Sequence, residues 1–406
     1  MLSNPKPRKC STQVSTTGPS LVYSFPLSPS MQNFRRICSL ILSDPDLYEA
    51  RRSQVESTTE QLEKSQVPVS DDPCRTCASP CEFGHPDYPR RFDVDLTSEM
   101  LGSLKPYQRQ VVISTGKADW EREVTDEEGS LARYLLHTSK PHTSKLHGHR
   151  RPSVSAHSTH HAHHKPGRRN DIVNVPGVFN SKDASRLSIL NGSHHSLSMD
   201  EEKESVLVFP DFKLVKEVER SQAGAESLWC SSLEPSLNRA GKVECGVQSW
   251  PLPYACVILL CSHKRRDNRC HIAAPKLQTA LTHALTSEGY EVHTQVEHPM
   301  GPPLEDIEGS DEDREKEFLR RLQEIADSGE NKKALILMNS HIGGHKYSGN
   351  VVIYTPQGSG VWYGRVSPHE IPAIVKTTIC EGKVLPTLLR GGVNLTRPHG
   401  KDLLAW

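Results

Sequence analysis

This sequence has no excess of charge and no long apolar run. Its 406 residues include 49 basic and 49 acidic side chains, and that balance gives no general reason to expect nucleic-acid or membrane-surface binding. The longest apolar run beside a predicted strand, ACVILLC at 255–261, is far too short to cross a bilayer. We therefore expect a protein with neither a membrane span nor a nucleic-acid partner.

Acidic residues are absent from the first 43 positions. This segment carries five basic residues and many serines and threonines, and its apolar side chains between positions 34 and 42 follow helical spacing. Such a composition is typical of a mitochondrial transit peptide, and an ordinary disordered tail is the alternative. We expect disorder over residues 1–68, with a mitochondrial location as one prediction and a cytoplasmic location as the alternative.

A second acid-free segment, 137–169, holds nine of the 21 histidines. It has too few large apolar residues to offset the conformational entropy that ordering would cost. We therefore expect a disordered insertion over residues 137–181. Metal binding by this His-rich tract is the less favoured interpretation, because its histidines are irregularly spaced.

The eleven cysteines are unevenly spread, and no secretory signal is visible, so we do not expect a disulfide scaffold in a chain of this length. Cysteine and histidine together then suggest metal or thiol chemistry in a reducing compartment. Cys74, Cys77 and Cys81 lie close together in CRTCASPC. They are candidate redox thiols or metal ligands, with His85 as a candidate fourth ligand, and reduced structural thiols are the alternative.

The hydrophobic pattern predicts two α/β domains. Strands and one short helix alternate over residues 69–220, and residues 221–248 have the composition of a linker. In residues 249–406 the predicted order is β-α-β-α-β-β-α, which is typical of a thioredoxin-like domain. The predicted elements of this second domain are 254–262, 275–289, 290–298, 313–328, 333–339, a hairpin over 350–366, and 367–380.

Two cysteines and two histidines follow predicted strands of the second domain. Cys261 ends the first strand, and Cys270 lies nine residues further on. His341 and His345, in HIGGHK, follow another strand, and the two glycines between them favour a tight loop over a helix. Because the carboxyl ends of parallel strands meet at one edge of a sheet, we expect these four side chains to converge.

The four residues leave the cofactor open. Eight residues separate the cysteines and seventy separate Cys270 from His341, which is wider spacing than a zinc finger uses. A [2Fe-2S] cluster needs two ligands for each iron, and two Cys with two His are known from Rieske centres. The residues alone leave zinc and an iron–sulfur cluster as equal alternatives.

Three motifs, CSHKRRDNRC, HIGGHK and YTPQGSGVWYGRV, carry a resemblance of residues 249–406 to the thioredoxin-like ferredoxin domain of the sucrase/ferredoxin-like family. The pieces CRTCASPC, GKADW and VLVFPDFKLV resemble one fungal branch of that family, the altered inheritance of mitochondria branch. The resemblance implies a [2Fe-2S] cluster on Cys261, Cys270, His341 and His345. Our first hypothesis is therefore a protein that transfers one electron at a time, to which the first group of cysteines couples in thiol redox control. A zinc-stabilised Cys2His2 binding module without a redox role is the alternative.

Partners follow from the same hypothesis. An unidentified redox protein is expected, and four basic residues beside the cysteine ligands are suited either to guide an acidic partner or to solvate the loop: Lys264, Arg265, Arg266 and Arg269. The sequence ends in LLAW, which resembles the aromatic ends of some clients of the iron–sulfur assembly machinery. A hydrophobic tail packing on the domain is the alternative.

Overall fold

The computed structural model describes residues 45–72, 88–89, 91–139, 174–243, 245–329, 332–398 and 400–406. The candidate thiols Cys74, Cys77 and Cys81 lie outside the described residues, as does the predicted transit peptide. Most of the predicted insertion, residues 140–173, lies outside them as well.

Twelve strands in the described residues form one sheet. The strands are Arg109–Ser114 (β1), Val178–Phe179 (β2), Leu187–Gly192 (β3), Lys203–Phe209 (β4), Lys213–Glu219 (β5), Gln248–Pro251 (β6), Cys256–Cys261 (β7), Glu291–His293 (β8), Lys333–Asn339 (β9), Val351–Tyr354 (β10), Gly360–Tyr363 (β11) and Leu389–Val393 (β12). The α-helices are Pro45–Lys64 (α1), Leu131–Ser139 (α2), Gln222–Leu228 (α3), Asn268–Ser287 (α4), Asp311–Ala326 (α5) and Ile371–Ala373 (α6), with π-helical turns at Trp229–Leu233 and Ile374–Cys380. These elements confirm the mixed α/β class.

The sheet consists of two halves with the same strand order. The order is β3-β1-β4-β5 in the first half and β9-β7-β10-β11 in the second. In each half the first two strands are parallel, and the others are antiparallel to their neighbours. Strands β3 and β9 meet through one antiparallel pair, Gly192 and Asn339, at their last residues. The carboxyl ends of both parallel pairs therefore gather where the two halves join.

Helix α4 begins seven residues before its predicted start. The side chain of Asp267 accepts a hydrogen bond from the Arg269 backbone at 2.9 Å and caps the helix there. Pro275, which was expected to open the helix, lies inside it. The side chains of Leu277 and Leu281 in this helix are buried against the sheet. The earlier start places Cys270 in the first turn of the helix instead of in a loop.

The segment 221–248 differs from the predicted linker. It contains helix α3 and a π-helical turn, and it leads into strand β6; Leu228 and Leu233 within it are buried. Cys230 and Cys245 form a disulfide across it, with their Cα atoms 6.3 Å apart. No feature of the sequence predicted this single disulfide, and the segment is packed onto the first half instead of forming a linker.

Two segments that were predicted to be disordered are partly ordered. Residues 45–68 contain helix α1, because Leu62 and Val67 insert into the core of the second half. The predicted insertion is shorter at both ends, since α2 continues to Ser139 and β2 precedes position 181. Residues 204–215 belong to the β4-β5 hairpin.

A buried ion pair fixes the first half to the disulfide-bonded segment. Arg109 donates to the carboxylate of Asp211 at 2.6 Å, and both side chains are less than a tenth exposed. Arg109 also donates to the backbone oxygens of Glu234 and Leu237. These bonds satisfy a charge that burial would otherwise penalise.

Asp211→Ala should lower the free energy of unfolding by about 3–5 kcal/mol, because it leaves the Arg109 charge buried without a carboxylate. Urea denaturation followed by circular dichroism measures the change. Glu60→Ala is the control, since Glu60 pairs with Lys64 on an exposed helix face and should cost about 0.5 kcal/mol or less. Equal losses in the two variants would contradict the structural role of the buried pair.

Candidate metal centre

Cys261 and Cys270 are held by the end of a strand and the start of a helix. All six residues of β7 are buried, and Cys261 is the last of them. After a short turn, the Asp267 cap starts helix α4, and Cys270 is its third residue. Both cysteines are 3 % exposed or less. Their thiols thus lie in a water-poor crevice at the carboxyl edge of the sheet.

The His loop, residues 340–345, begins where the neighbouring strand β9 ends, directly beside Cys261. Cys261 of β7 is paired in register with Asn339, the last residue of β9. Gly343 and Gly344 then adopt φ values of 79° and 66°, the left-handed region that favours glycine. The tight turn brings the rings of His341 and His345 to face each other, with ring centres 5.5 Å apart.

The structure brings the four predicted residues together. The Cys270 thiol donates a hydrogen bond to the sulfur of Cys261, and this bond holds the pKa of Cys261 well below its usual range. The same bond, together with burial, raises the pKa of Cys270. The ring of His341 is also hydrogen-bonded to Cys261. Both thiols lose their protons when they bind a metal.

The histidines retain free coordinating capacity. The Nδ1 atom of His341 is buried and has no hydrogen-bond partner in the described part of the chain. A buried nitrogen of this kind fits a metal ligand, because an unsatisfied polar atom is otherwise costly. Burial and the neighbouring His341 lower the pKa of His345, which favours the neutral imidazole that metals bind.

His263, which the sequence analysis did not single out, positions the His loop. It is fully buried, and its Nδ1 accepts a hydrogen bond from the backbone N–H of His341 at 3.2 Å. The network therefore places the ring proton on Nε2, which lies 2.9 Å from the backbone oxygen of Trp120. His263 thus ties the His loop to the GKADW motif of the first half. The one feature of the sequence that points to this role of His263 is its position two residues after Cys261, within the CSHKRRDNRC motif.

Arg390 is a buried cation behind the His loop. It is 1 % exposed, and its guanidinium donates to the backbone oxygen of Gly343 at 3.2 Å and to Asn350 at 2.7 Å. Burial lowers its pKa to about 10, so it stays charged at neutral pH, and the nearby Cys261 and Cys270 oppose that shift. Nothing in the local sequence of β12 indicated this role.

The basic loop beside the cysteines is neutralised within the chain. Arg265 and Arg266 pair with Glu121 and Glu123 of the first half. Arg269 pairs with the capping carboxylate of Asp267 at 2.7 Å. Three of the four charges expected to guide an acidic partner are therefore paired within the chain, and two of these pairs join the two halves.

A second His/Glu group lies away from this centre. Glu291, His293 and Glu297 have ligand atoms within 4.8 Å of one another, and no other group of three or more metal-ligating side chains in the described ranges is as compact. The ammonium group of Lys333 already bonds Glu297 at 2.7 Å. The two ring nitrogens of His293 face different carboxylates. Ion pairing therefore accounts for this group.

A mixed α/β fold that gathers two buried cysteines and two histidines at one edge of its sheet defines the general class of this protein. The model of the sucrase/ferredoxin-like family matches residues 100–391, and the chain belongs to that family. The expected resemblance is thus confirmed at this level. No helix in the described ranges is long and apolar enough to span a membrane.

Several curated proteins are similar to this chain. Altered inheritance of mitochondria protein 32 of Meyerozyma guilliermondii is 30 % identical over 138 residues, which are 34 % of this chain and 35 % of that protein. The protein of the same name from Clavispora lusitaniae is 30 % identical over 135 residues, 33 % of this chain and 34 % of that protein. The chain thus spans about a third of the length of these relatives.

Another relative matches over most of its length. Actin patches distal protein 1 of Saccharomyces cerevisiae is 20 % identical over 340 residues, which are 82 % of this chain and 89 % of that protein. No solved structure matches.

Proposed function

We propose that the second half of the chain is a thioredoxin-like ferredoxin unit that holds a [2Fe-2S] cluster through Cys261, Cys270, His341 and His345. When bound, such a cluster takes up and releases one electron at a time. The chain buries the thiolates and fixes the His loop through His263 and the guanidinium behind it. Thiol redox control by the three cysteines at positions 74–81 stays a prediction, because they lie outside the described residues.

The observation that carries this proposal is the arrangement of the four ligands as two pairs. The thiol of Cys270 interacts with the sulfur of Cys261, and the two imidazole rings lie side by side with their centres 5.5 Å apart. Two imidazoles on one metal ion have ring centres about 5 Å apart, given metal–nitrogen bonds of about 2 Å. One pair for each iron is the pattern that a two-iron cluster requires.

The spacing of the ligand atoms also supports a cluster over a zinc-stabilised module. A single tetrahedral ion needs all four ligand atoms within about 4 Å of one another. Cys261, Cys270, His341 and His345 contain no set of three whose ligand atoms all lie within 4.8 Å of one another. A larger object with two metal positions therefore fits this site better than one zinc ion.

Anaerobic purification of the full chain, followed by absorption spectroscopy and analysis of iron, sulfide and zinc, tests the proposal. We expect a coloured protein with equal amounts of iron and sulfide. A colourless protein that carries zinc would replace the proposal with the zinc-stabilised module.

Arg390→Gln should lower the reduction potential of the bound cluster by tens of millivolts. Reduction adds a negative charge, and the buried guanidinium favours that charge electrostatically. Protein-film voltammetry measures the shift, and Arg390→Lys is the matched control because it keeps the positive charge. A potential that is the same in both variants and the wild type would show that this charge does not act on the cluster.

We also propose a mitochondrial location. The relatives named for altered inheritance of mitochondria motivate it, as does the acid-free basic composition of residues 1–43. Those residues, fused to a fluorescent protein, should direct it to mitochondria, and a fusion with the basic residues of the segment replaced by glutamine should stay in the cytosol. Cytosolic fluorescence from the unaltered fusion would favour the cytoplasmic alternative.

A further inference from the structure

The first half has a cleft where the second half has its candidate metal centre. A cavity of about 110 Å³ lies at the carboxyl ends of β1 and β3 and the amino end of α2. The polar residues that line it include Thr115, Lys117, Ser130, Asn191 and Arg220. In the second half the same place, between the ends of β7 and β9 and the start of α4, holds the Cys and His residues. Crevices at this position of α/β sheets are the usual place for ligands.

The floor of the cleft contains an unpartnered amide. Asn191 is 2 % exposed, and its backbone groups are taken by Ser340. Its side chain has no hydrogen bond to any described residue. Asn191 is paired in register with Ile113, which packs against α2. Because strand side chains alternate between faces, the Asn191 amide faces α2 and thus the cleft.

The roof of the cleft supplies further free donors. Ser130 caps helix α2 by accepting a bond from the Arg133 backbone at 3.2 Å. The backbone N–H groups of Leu131 and Ala132, which also line the cleft, have no acceptor among the described residues. They form the positive end of the nine-residue helix α2.

The charged side chains around the cleft are balanced. Lys117 pairs with Glu127 at 2.8 Å, and Arg220 pairs with Glu204 at 3.3 Å. Glu128 also lines the cleft, but its side chain is 90 % exposed to solvent. Lys117 is 54 % exposed, so its ammonium group has the freedom to turn from Glu127 toward a ligand.

We propose that this cleft binds a small oxyanion, the phosphate or carboxylate group of a small molecule. Three donors at the cleft are left without partners in the part of the chain that the structure describes: the NH2 group of the Asn191 amide and the backbone N–H groups of Leu131 and Ala132. An oxyanion can accept hydrogen bonds from all of these donors at once, and the positive charge of Lys117 attracts it. The backbone of Asn191 is bonded to Ser340, the residue before His341, so the bound anion would lie beside the His loop. The proposal does not depend on a metal at that loop.

Isothermal titration of the full chain with inorganic phosphate and with succinate tests the proposal, with chloride at matched ionic strength as background. We expect saturable binding of at least one anion. Lys117→Gln and Asn191→Leu should each weaken it about tenfold or more, since each removes a hydrogen bond to a charged group. Lys376→Gln, which removes an exposed lysine elsewhere, should leave it unchanged.

The titrations with phosphate and with succinate distinguish a phosphate group from a carboxylate group as the ligand. Binding of phosphate alone would assign a phosphate group, and binding of succinate alone would assign a carboxylate. Lys117 is exposed, so its variant keeps the test interpretable if Asn191→Leu does not fold. The proposal is overturned if neither anion gives saturable heat above the chloride background. The proposal is also overturned if each cleft variant that folds binds the anions as tightly as the wild type does.

Discussion

Replacing Cys261 or Cys270 with serine is expected to remove nearly all iron and visible absorbance from the purified protein. Each substitution deletes a thiolate from a buried site, and the hydroxyl that replaces it does not ionise at neutral pH. The remaining cysteine cannot hold its iron alone in a crevice where both side chains are 3 % exposed or less. Serine nearly matches cysteine in size, so the fold itself should be retained.

Cys380→Ser is the matched control for these variants. Cys380 is a free and exposed cysteine of the second half, away from the His loop. The Cys380→Ser variant should keep the full iron content and the wild-type spectrum. Iron contents in Cys261→Ser and Cys270→Ser that equal the content of this control would remove both cysteines from the ligand set.

Gly344→Ala should disrupt the centre without touching a ligand. A Cβ atom at this position would collide with the guanidinium of Arg390, which is fully enclosed and cannot retreat. The left-handed φ adds a backbone penalty of about 1 kcal/mol. Because His345 follows directly, we expect the His loop to shift and the iron content to fall several-fold.

Gly343→Ala separates the collision from the backbone penalty. Gly343 has a similar positive φ, but a Cβ there would meet nothing within 4 Å. It should cost about 1 kcal/mol in the free energy of unfolding and leave the iron content largely intact. Iron analysis and urea denaturation of both variants give the comparison. Equal iron loss in the two variants would show that Arg390 does not determine the position of the loop.

The sequence predicted those parts of the site that depend on local pattern and on a general rule. Strand 333–339 has the predicted bounds, because its apolar run is buried on both faces. The convergence of Cys261 with the His loop followed from the rule that parallel strands end at one edge. The glycines of HIGGHK pointed to the tight loop because left-handed backbone conformations favour glycine.

The parts that the sequence did not predict depend on contacts between distant segments. Arg390 lies about fifty positions from the loop that it supports, and His263 bonds Trp120 of the other half. Residues 221–248 are polar enough to suggest a linker, but the buried side chains and the Cys230–Cys245 disulfide hold them on the first half. Helix α4 starts earlier than its proline suggests, because Asp267 caps the helix and Pro275 is accommodated inside it.

Pulsed electron paramagnetic resonance of the reduced protein tests most directly the claim that two Cys and two His hold a [2Fe-2S] cluster. We expect strong couplings from two imidazole nitrogens. One coupling should disappear in His341→Cys and the other in His345→Cys, while the cluster signal persists in each. A reduced cluster without strongly coupled nitrogens, or couplings that both variants retain, would contradict ligation by His341 and His345.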